Sequence, residues 1–269
     1  MSKAKILYVS QEIMPYLPET EISKISRYLP QGIQELGKEI RTFMPRFGKV
    51  NERRHQLHEV IRLSGMNLVI NDADHPLIIK VASLQQARMQ VYFIDNEDFF
   101  HRKFIFNDEN GNFFEDNDER MIFFARGVLE TVKKLRWSPD VVHCHGWFTS
   151  LIPLYLKKAF KEDPLFQDSK IIFSLYSKSF NDKLNPEFKE KLKLNGVDDS
   201  DTEMLNQVDF NSLNKMAIAQ SDGIIVGSED VEKELIEYAE SLGKPVLPYQ
   251  DEENYIKEYN NFYETILNS

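Results

Sequence analysis

The amino-acid sequence predicts one α/β domain, a doubly wound, mainly parallel sheet with helices on both faces. Three observations predict it. The chain opens on an unbroken apolar run, KILYVS at 5–10, as a strand buried on both faces does. Apolar residues then recur at three- and four-residue spacing, Ile22, Ile25, Leu29, Ile33 and Leu36, before Gly37 and a second run, EIRTFM at 39–44. Strand, helix, glycine and strand make a βαβ unit, which builds parallel sheets. Finally, apolar runs and helical stretches keep alternating along the chain, with no internal repeat and no break in composition. With 269 residues, 42% of them hydrophobic, the chain can bury one sizeable core.

The remaining elements follow in order. Residues 58–70 and 77–94 read as strands, most clearly QVYFI at 90–94. Residues 98–118 mix aromatics with Asp, Asn and Gly and predict a long loop. Met121, Phe124, Ala125, Val128, Leu129 and Val132 give one apolar side to a helix over 118–136. Pro139 separates it from the strand DVVHCH at 140–145. A helix over 149–161 tolerates Pro153 in its first turns. The run KIIFSLY at 170–176 is another buried strand, and the charged stretch 177–202 has no clear period. Helix 204–220, strand 222–227, helix 229–242 and a last helix over 252–267 complete the reading. In that last helix Tyr255, Tyr259, Phe262, Tyr263 and Ile266 form an aromatic stripe that has to be buried.

Composition narrows the function classes. Forty-three acidic against 33 basic side chains give a formal net charge of −10. Such a surface repels phosphate backbones and anionic lipid, so neither nucleic acid nor membrane is an expected partner. Cys144 is the single cysteine. It forms no internal disulfide, and no Cys/His spacing suggests a metal site. Only five or six apolar residues follow the lysines of MSKAKILYVS, too few for a signal peptide or membrane span. The expectation is a soluble, cytoplasmic protein. Neither G-x-G-x-x-G nor a Walker A sequence occurs, so no nucleotide cofactor of those types is expected.

Two clusters stand out. His143, Cys144, His145, Gly146 and Trp147 end an apolar strand, and ligands of open α/β sheets bind at carboxyl strand ends. Strand alternation puts His143 and His145 on one side. They are either ligand-facing or simply hydrogen-bonded inside the core. Asp116 and Asn117 precede a helix, with Glu119 close behind. They are either an N-cap with an acidic first turn or part of a small-molecule cleft shared with His145. The phenylalanines at 99, 100, 104, 106, 113 and 114 suit either ordinary core under a loop or stacking on sugar rings.

Taken together, the segments resemble the N-terminal catalytic domain of bacterial glycogen synthases and plant starch synthases. ILYVSQEIMPYLPETEISKISRYLPQGIQELGKEIRTFMPRFGKV at 6–50 resembles that family's opening, with Ser10, Gln11 and Glu12 at its Ser-x-Glu step. VYFIDNEDFF at 91–100, EDNDERMIFFARGVLE at 115–130, PDVVHCHGWFTSLIPLYLK at 139–157 and SDGIIVGSEDVEKEL at 221–235 resemble further family segments in the right order. The resemblance implies a Rossmann-like domain over 1–245 and a tail helix within 246–269 that folds back on it. It also implies descent from a retaining glucosyltransferase that extends α-1,4-glucan from ADP-glucose. The pocket for the transferred glucose would draw on Asp116 and His145, with Asn117 in the same step and Glu12 at a neighbouring strand end.

The departures point the other way. Where the family has Lys-Thr-Gly-Gly against the donor's phosphates, this chain has Pro18, Glu19, Thr20 and Glu21. The family's His-Asp-Trp-His is His145, Gly146, Trp147 and Phe148, and its Thr-Ile-His-Asn is Ser174, Leu175, Tyr176 and Ser177. With the sequence ending at Ser269, the expectation is a first domain with its returning tail and without the family's nucleotide-binding second domain. Three readings stay open: a non-catalytic homologue that binds a glucan or a protein partner, one half of a split transferase whose partner supplies the nucleotide-binding domain, or a different activity. No metal, no cofactor and no catalytic residue is assigned. The expected ligand is an α-glucan or another glucose-containing molecule.

Overall fold

A computed structural model describes residues 3–194 and 196–269. In chain order its strands are β1 (Lys5–Ser10), β2 (Glu39–Pro45), β3 (His58–Glu59), β4 (Met66–Ile70), β5 (Ala73–Leu84), β6 (Met89–Asp95), β7 (Val141–His145), β8 (Lys170–Leu175), β9 (Gly223–Val226) and β10 (Val246–Leu247). Its helices are α1 (Glu21–Glu35), α2 (Glu52–His55), α3 (Glu97–Phe100), α4 (Asn117–Leu135), α5 (Leu151–Lys157), α6 (Phe188–Lys191), α7 (Phe210–Ala219), α8 (Lys233–Ser241) and α9 (Tyr255–Leu267).

The sheet runs in the order β10-β9-β8-β7-β1-β2-β6-β5-β3, with β4 paired to β5. Strands β1, β2 and β6 to β10 are parallel to their neighbours among them. Strands β3, β4 and β5 add an antiparallel edge. The chain builds outward from β1 through β2 and β6, then crosses back to place β7 on the other side of β1. This reversal makes the crevice beyond β1 and β7 the topological switch point, the usual ligand position of such sheets. Among the described residues no helix is long and apolar enough to cross a membrane.

Strand alternation divides the core into two faces. Leu7, Val9, Val142 and Cys144 point toward α4, α5 and α7, which contribute Phe124, Val128, Leu151, Leu154, Leu213 and Met216 among others. Ile6, Tyr8, Val141, Ile172 and Ile225 point the opposite way, against Leu29 and Ile33 of α1 and Tyr259, Phe262, Tyr263 and Ile266 of α9. The aromatic stripe of α9 is thus buried on the sheet and beside α1. Gly223 permits this close approach, because a Cβ there would lie 2.9 Å from Ile266 Cδ1. Ion pairs from Lys24 to Glu252 and from Lys38 to Glu264 fasten the same region to α1 and its flank.

Some boundaries differ from the sequence reading for local reasons. Strand β5 begins four residues early because Asn71 and Asp72, both at positive φ, turn the chain directly from β4 into β5. A two-residue turn of this kind matches the strand twist. A 3₁₀ turn at Gln85–Ala87 then splits β5 from β6. Helix α7 starts at Phe210, where Asp209 and Ser212 close a capping box, and residues Asp199–Asn206 are 3₁₀ instead. Helix α5 stops at Lys157, and the chain turns to bury Phe160 and Phe166.

Candidate functional site

The carboxyl ends of β1 and β7 lie side by side, with Ser10 in register with His145. Just beyond them, the Gln11 N–H donates to the His145 carbonyl at 3.2 Å. This brings Glu12 and His145 to adjacent strand ends at the switch point.

The two histidines of β7 are both fully buried and both face α9, their rings 4.0 Å apart between centroids. Their surroundings differ. His143 is satisfied at both nitrogens, by Tyr263 at Nδ1 and by Ser174 at Nε2, each at 2.7 Å. Tyr8 extends this chain through its hydroxyl to Tyr263 at 3.2 Å. His145 meets Tyr176 through Nδ1 at 2.7 Å, while its Nε2 is buried with no partner. Burial drives both imidazoles toward the neutral form. His143 is held well below its ordinary pKa by burial and then by its neighbour His145, and burial alone takes His145 down to about 3. At neutral pH these rings offer one N–H and one lone pair each and no charge.

Gly146 ends β7 at φ +87 and ψ 158, a region essentially restricted to glycine. A Cβ there would lie 2.3 Å from the Gln11 Oε1, the atom that accepts from the Phe148 N–H at 3.3 Å. Substituting Gly146→Ala is therefore expected to cost about 1–3 kcal/mol in backbone strain alone, plus the disturbed Gln11 contact. Thermal denaturation measures it, and an unaltered melting temperature would rule out this backbone geometry. The family's Asp at this position would meet the same obstacle.

Glu12 accepts a 2.6 Å hydrogen bond from the Thr20 hydroxyl. Thr20 is the N-cap of α1 and closes a capping box with Ser23. Burial raises the Glu12 carboxyl above its ordinary range, and the bonds to Thr20 and then Gln11 partly offset this. Pro18, Glu19, Thr20 and Glu21 therefore form an ordinary acidic helix start. The α1 amino end carries carboxylates and no lysine until Lys24, which is paired with Glu252.

At the head of α4, Asp116 occupies the N-cap position, but its side chain makes no capping bond. Its carboxylate instead takes both guanidinium nitrogens of Arg102, at 2.7 and 2.5 Å, a bidentate pair. Asn117 is buried and spent on structure. Its amide donates to the Phe106 carbonyl at 2.9 Å and its oxygen accepts from Arg120 at 2.5 Å. The acidic first turn is Asp118 and Glu119, both bridged by Lys191 of α6. Phe106 packs on Trp147 and Phe148 at 4.8 and 5.3 Å, and Phe113 stacks on Phe180 at 5.0 Å. Through these rings the loop before α4 lies against the β7–α5 turn, while Phe99 and Phe100 belong to the core.

The four candidate residues thus divide. Glu12 and His145 share the switch-point edge. Asp116 and Asn117 approach it through the aromatic loop, and among the described residues no hydrogen bond joins Asp116 to His145. Three partners were not singled out from the sequence: Tyr176, Arg102 and Thr20. Tyr176 and Thr20 left a trace there, at the family's Thr-Ile-His-Asn and Lys-Thr-Gly-Gly steps, and Arg102 left none. Among the described residues no group of His, Cys, Asp or Glu is arranged to hold a metal ion. Of the two neutral imidazoles only His145 keeps a nitrogen without a partner, and the Asp116 carboxylate is paired with Arg102.

Comparison with known proteins agrees with this architecture. The family model described as the starch synthase catalytic domain matches residues 5–245. The glycogen synthase of Chlorobium limicola is 38% identical over 174 residues, 64% of this chain and 36% of that protein. The glycogen synthase of Chlorobaculum tepidum is 35% identical over 202 residues, 71% of this chain and 41% of that protein. This chain thus aligns with well under half the length of these curated relatives. The catalytic domain of starch synthase IV from Arabidopsis thaliana, solved with ADP and acarbose bound, superposes with a TM-score of 0.75. That match covers 93% of this chain and 52% of the other at 16% identity, which shows the shared fold. On the strength of the family match and the fold, the chain belongs to the starch synthase catalytic domain family.

Proposed function

We propose that this chain binds an α-glucan or another glucose-containing ligand at the carboxyl edge of β1 and β7, and that it does not by itself transfer glucose from ADP-glucose. The observation that carries this reading is the charge at the α1 amino end. Glu12, Glu19 and Glu21 gather there. An anionic diphosphate would meet repulsion where transfer needs preorganised positive groups. A neutral glucan meets no such penalty. Each Asp116 oxygen keeps a lone pair beyond its bond to Arg102, and the buried His145 Nε2 has none of its capacity used. The solved starch synthase IV domain holds ADP and acarbose, which supports a sugar-type ligand for this relative.

Calorimetric titration with maltooligosaccharides, on wild type and Asp116→Ala, tests the reading beside an assay with ADP-glucose and glycogen. Expected are binding, a loss of about ten-fold or more in affinity for Asp116→Ala, and no glucose incorporation. Absent binding, or binding indifferent to Asp116→Ala, would leave only a shared fold. Robust incorporation by the purified chain would overturn the non-catalytic part. The alternative, one half of a split glycogen synthase, predicts incorporation only once a separate nucleotide-binding chain is added.

A further inference from the structure

The opposite edge of the sheet carries a basic depression that the sugar site does not use. It lies at the amino ends of β2 and β6, beside the end of β5, and encloses about 740 Å³. Lys3, Lys38, Arg41 and Arg88 line it, against Glu39 as the one carboxylate. The chain as a whole has a formal charge of −10, so four cations around one hollow run against the general surface. Glu39 is engaged elsewhere, accepting from the Trp137 indole at 2.5 Å. Lys38 is shared with Glu264. Among the described residues no ion pair involves Lys3, Arg41 or Arg88.

Arg41 is the organised member of the group. Its guanidinium lies against the rings of Trp137 and Tyr92, 5.2 and 5.8 Å from their centroids, and donates to the Tyr92 hydroxyl at 2.8 Å. This holds the fork in one orientation while its Nε is buried with no partner. A second buried atom in the same lining, the Gln34 Oε1, is also without a partner. Both atoms lie beneath the surface of the hollow, so its open face is set by the rest of these side chains together with Lys3, Lys38 and Arg88. The Arg41 fork and the surrounding cations call for an oxyanion. The Gln34 amide, with Gln85 and Gln90 alongside, calls for hydroxyls, which donate and accept and so satisfy an amide in either orientation. The hollow has the size of a small-molecule pocket and is far larger than a bare phosphate needs.

We propose that this depression binds a small phosphate ester bearing hydroxyl groups, of the sugar monophosphate class, at a site separate from the switch point. The phosphate would sit with Arg41 and Arg88, and the hydroxyls with Gln34 and its neighbours. Because the edge is the one remote from His145 and Glu12, the assignment stands independently of the glucan reading.

Calorimetry on the full chain, with hexose and pentose monophosphates, inorganic phosphate and free glucose as separate probes, tests it. At least one monophosphate should bind about ten-fold or more tightly than inorganic phosphate, and any binding of free glucose should be indifferent to Arg88→Glu. Arg88→Glu, at an exposed position outside the core, should weaken that binding about ten-fold or more. Lys233→Glu, an equal charge change at an exposed residue of α8, should leave it unchanged. Circular dichroism of both variants separates lost binding from lost fold. The proposal is overturned if no monophosphate binds, if inorganic phosphate binds as tightly as the esters, or if Arg88→Glu and Lys233→Glu behave alike.

Discussion

Removal of residues 250–269 should abolish the cooperative melting transition. Tyr259, Phe262, Tyr263 and Ile266 of α9 are buried on the sheet, and each such burial is worth on the order of 1.5–3 kcal/mol. Their loss would also uncover Ile6, Val141, Ile172 and Ile225 on the strands beneath. It would strip His143 of its Tyr263 partner as well, and an unsatisfied buried donor or acceptor costs about 1–3 kcal/mol more. Total stabilities are only about 5–15 kcal/mol. A milder test is Tyr263→Ala, expected to cost about 3–5 kcal/mol by analogy with other buried aromatic truncations. Tyr263→Phe keeps the ring and should cost only the hydrogen bonds. Urea titrations of the three proteins order these effects. A truncated chain that melts like the full one would mean that the helix is dispensable to the fold.

Acid should destabilise the protein well before its carboxylates titrate. His143 and His145 are neutral in the folded state because burial depresses their pKa values, that of His145 to about 3. In the unfolded chain each titrates near about 6.5. The unfolded state therefore takes up protons that the folded state refuses. Stability is full above about pH 6.5 and falls as the pH drops toward the folded values. Between pH 7 and pH 5 the His145 ring contributes a loss of about 2 kcal/mol, and His143 adds a loss of the same sign. Glu12 and Asp118, whose carboxyls burial raises, act in the opposite sense. Urea midpoints across that range measure the slope. His143→Gln should make it shallower, and a flat profile would show that the rings are protonated inside the fold.

Much of the fold was legible because it rests on local signals. The apolar runs of β1, β7, β8 and β9 and the stripes of α1, α4 and α9 are written at strand and helix periods. The antiparallel edge was less so. Its hairpin depends on Asn71 and Asp72 adopting positive φ, and β5 joins polar and apolar residues that no single period marks. The start of α7 was missed because the Asp209–Ser212 capping box lies within a polar stretch. The site shows the same division. Strand order placed His145 and Glu12 correctly at carboxyl ends, since that follows from alternation and connection. What Asp116 does was not legible. The sequence offers it as an N-cap, but Arg102 arrives from the preceding loop and takes the carboxylate. Nor could spacing reveal that Tyr176 satisfies one nitrogen of His145 and leaves the other. Such pairings join segments that meet only after the sheet is assembled.

The position of α9 also sets an order on biosynthesis. The ribosome delivers β1 well before α9, at about 5–20 residues per second. The sheet can align β1 with β2, β7, β8 and β9 as each emerges, but one of its faces keeps Tyr8, Val141, Ile172 and Ile225 only partly covered by α1 until residues 255–267 have been made. For those seconds a nascent chain presents a sticky apolar sheet surface to its neighbours. This face of the sheet closes only once α9 has emerged.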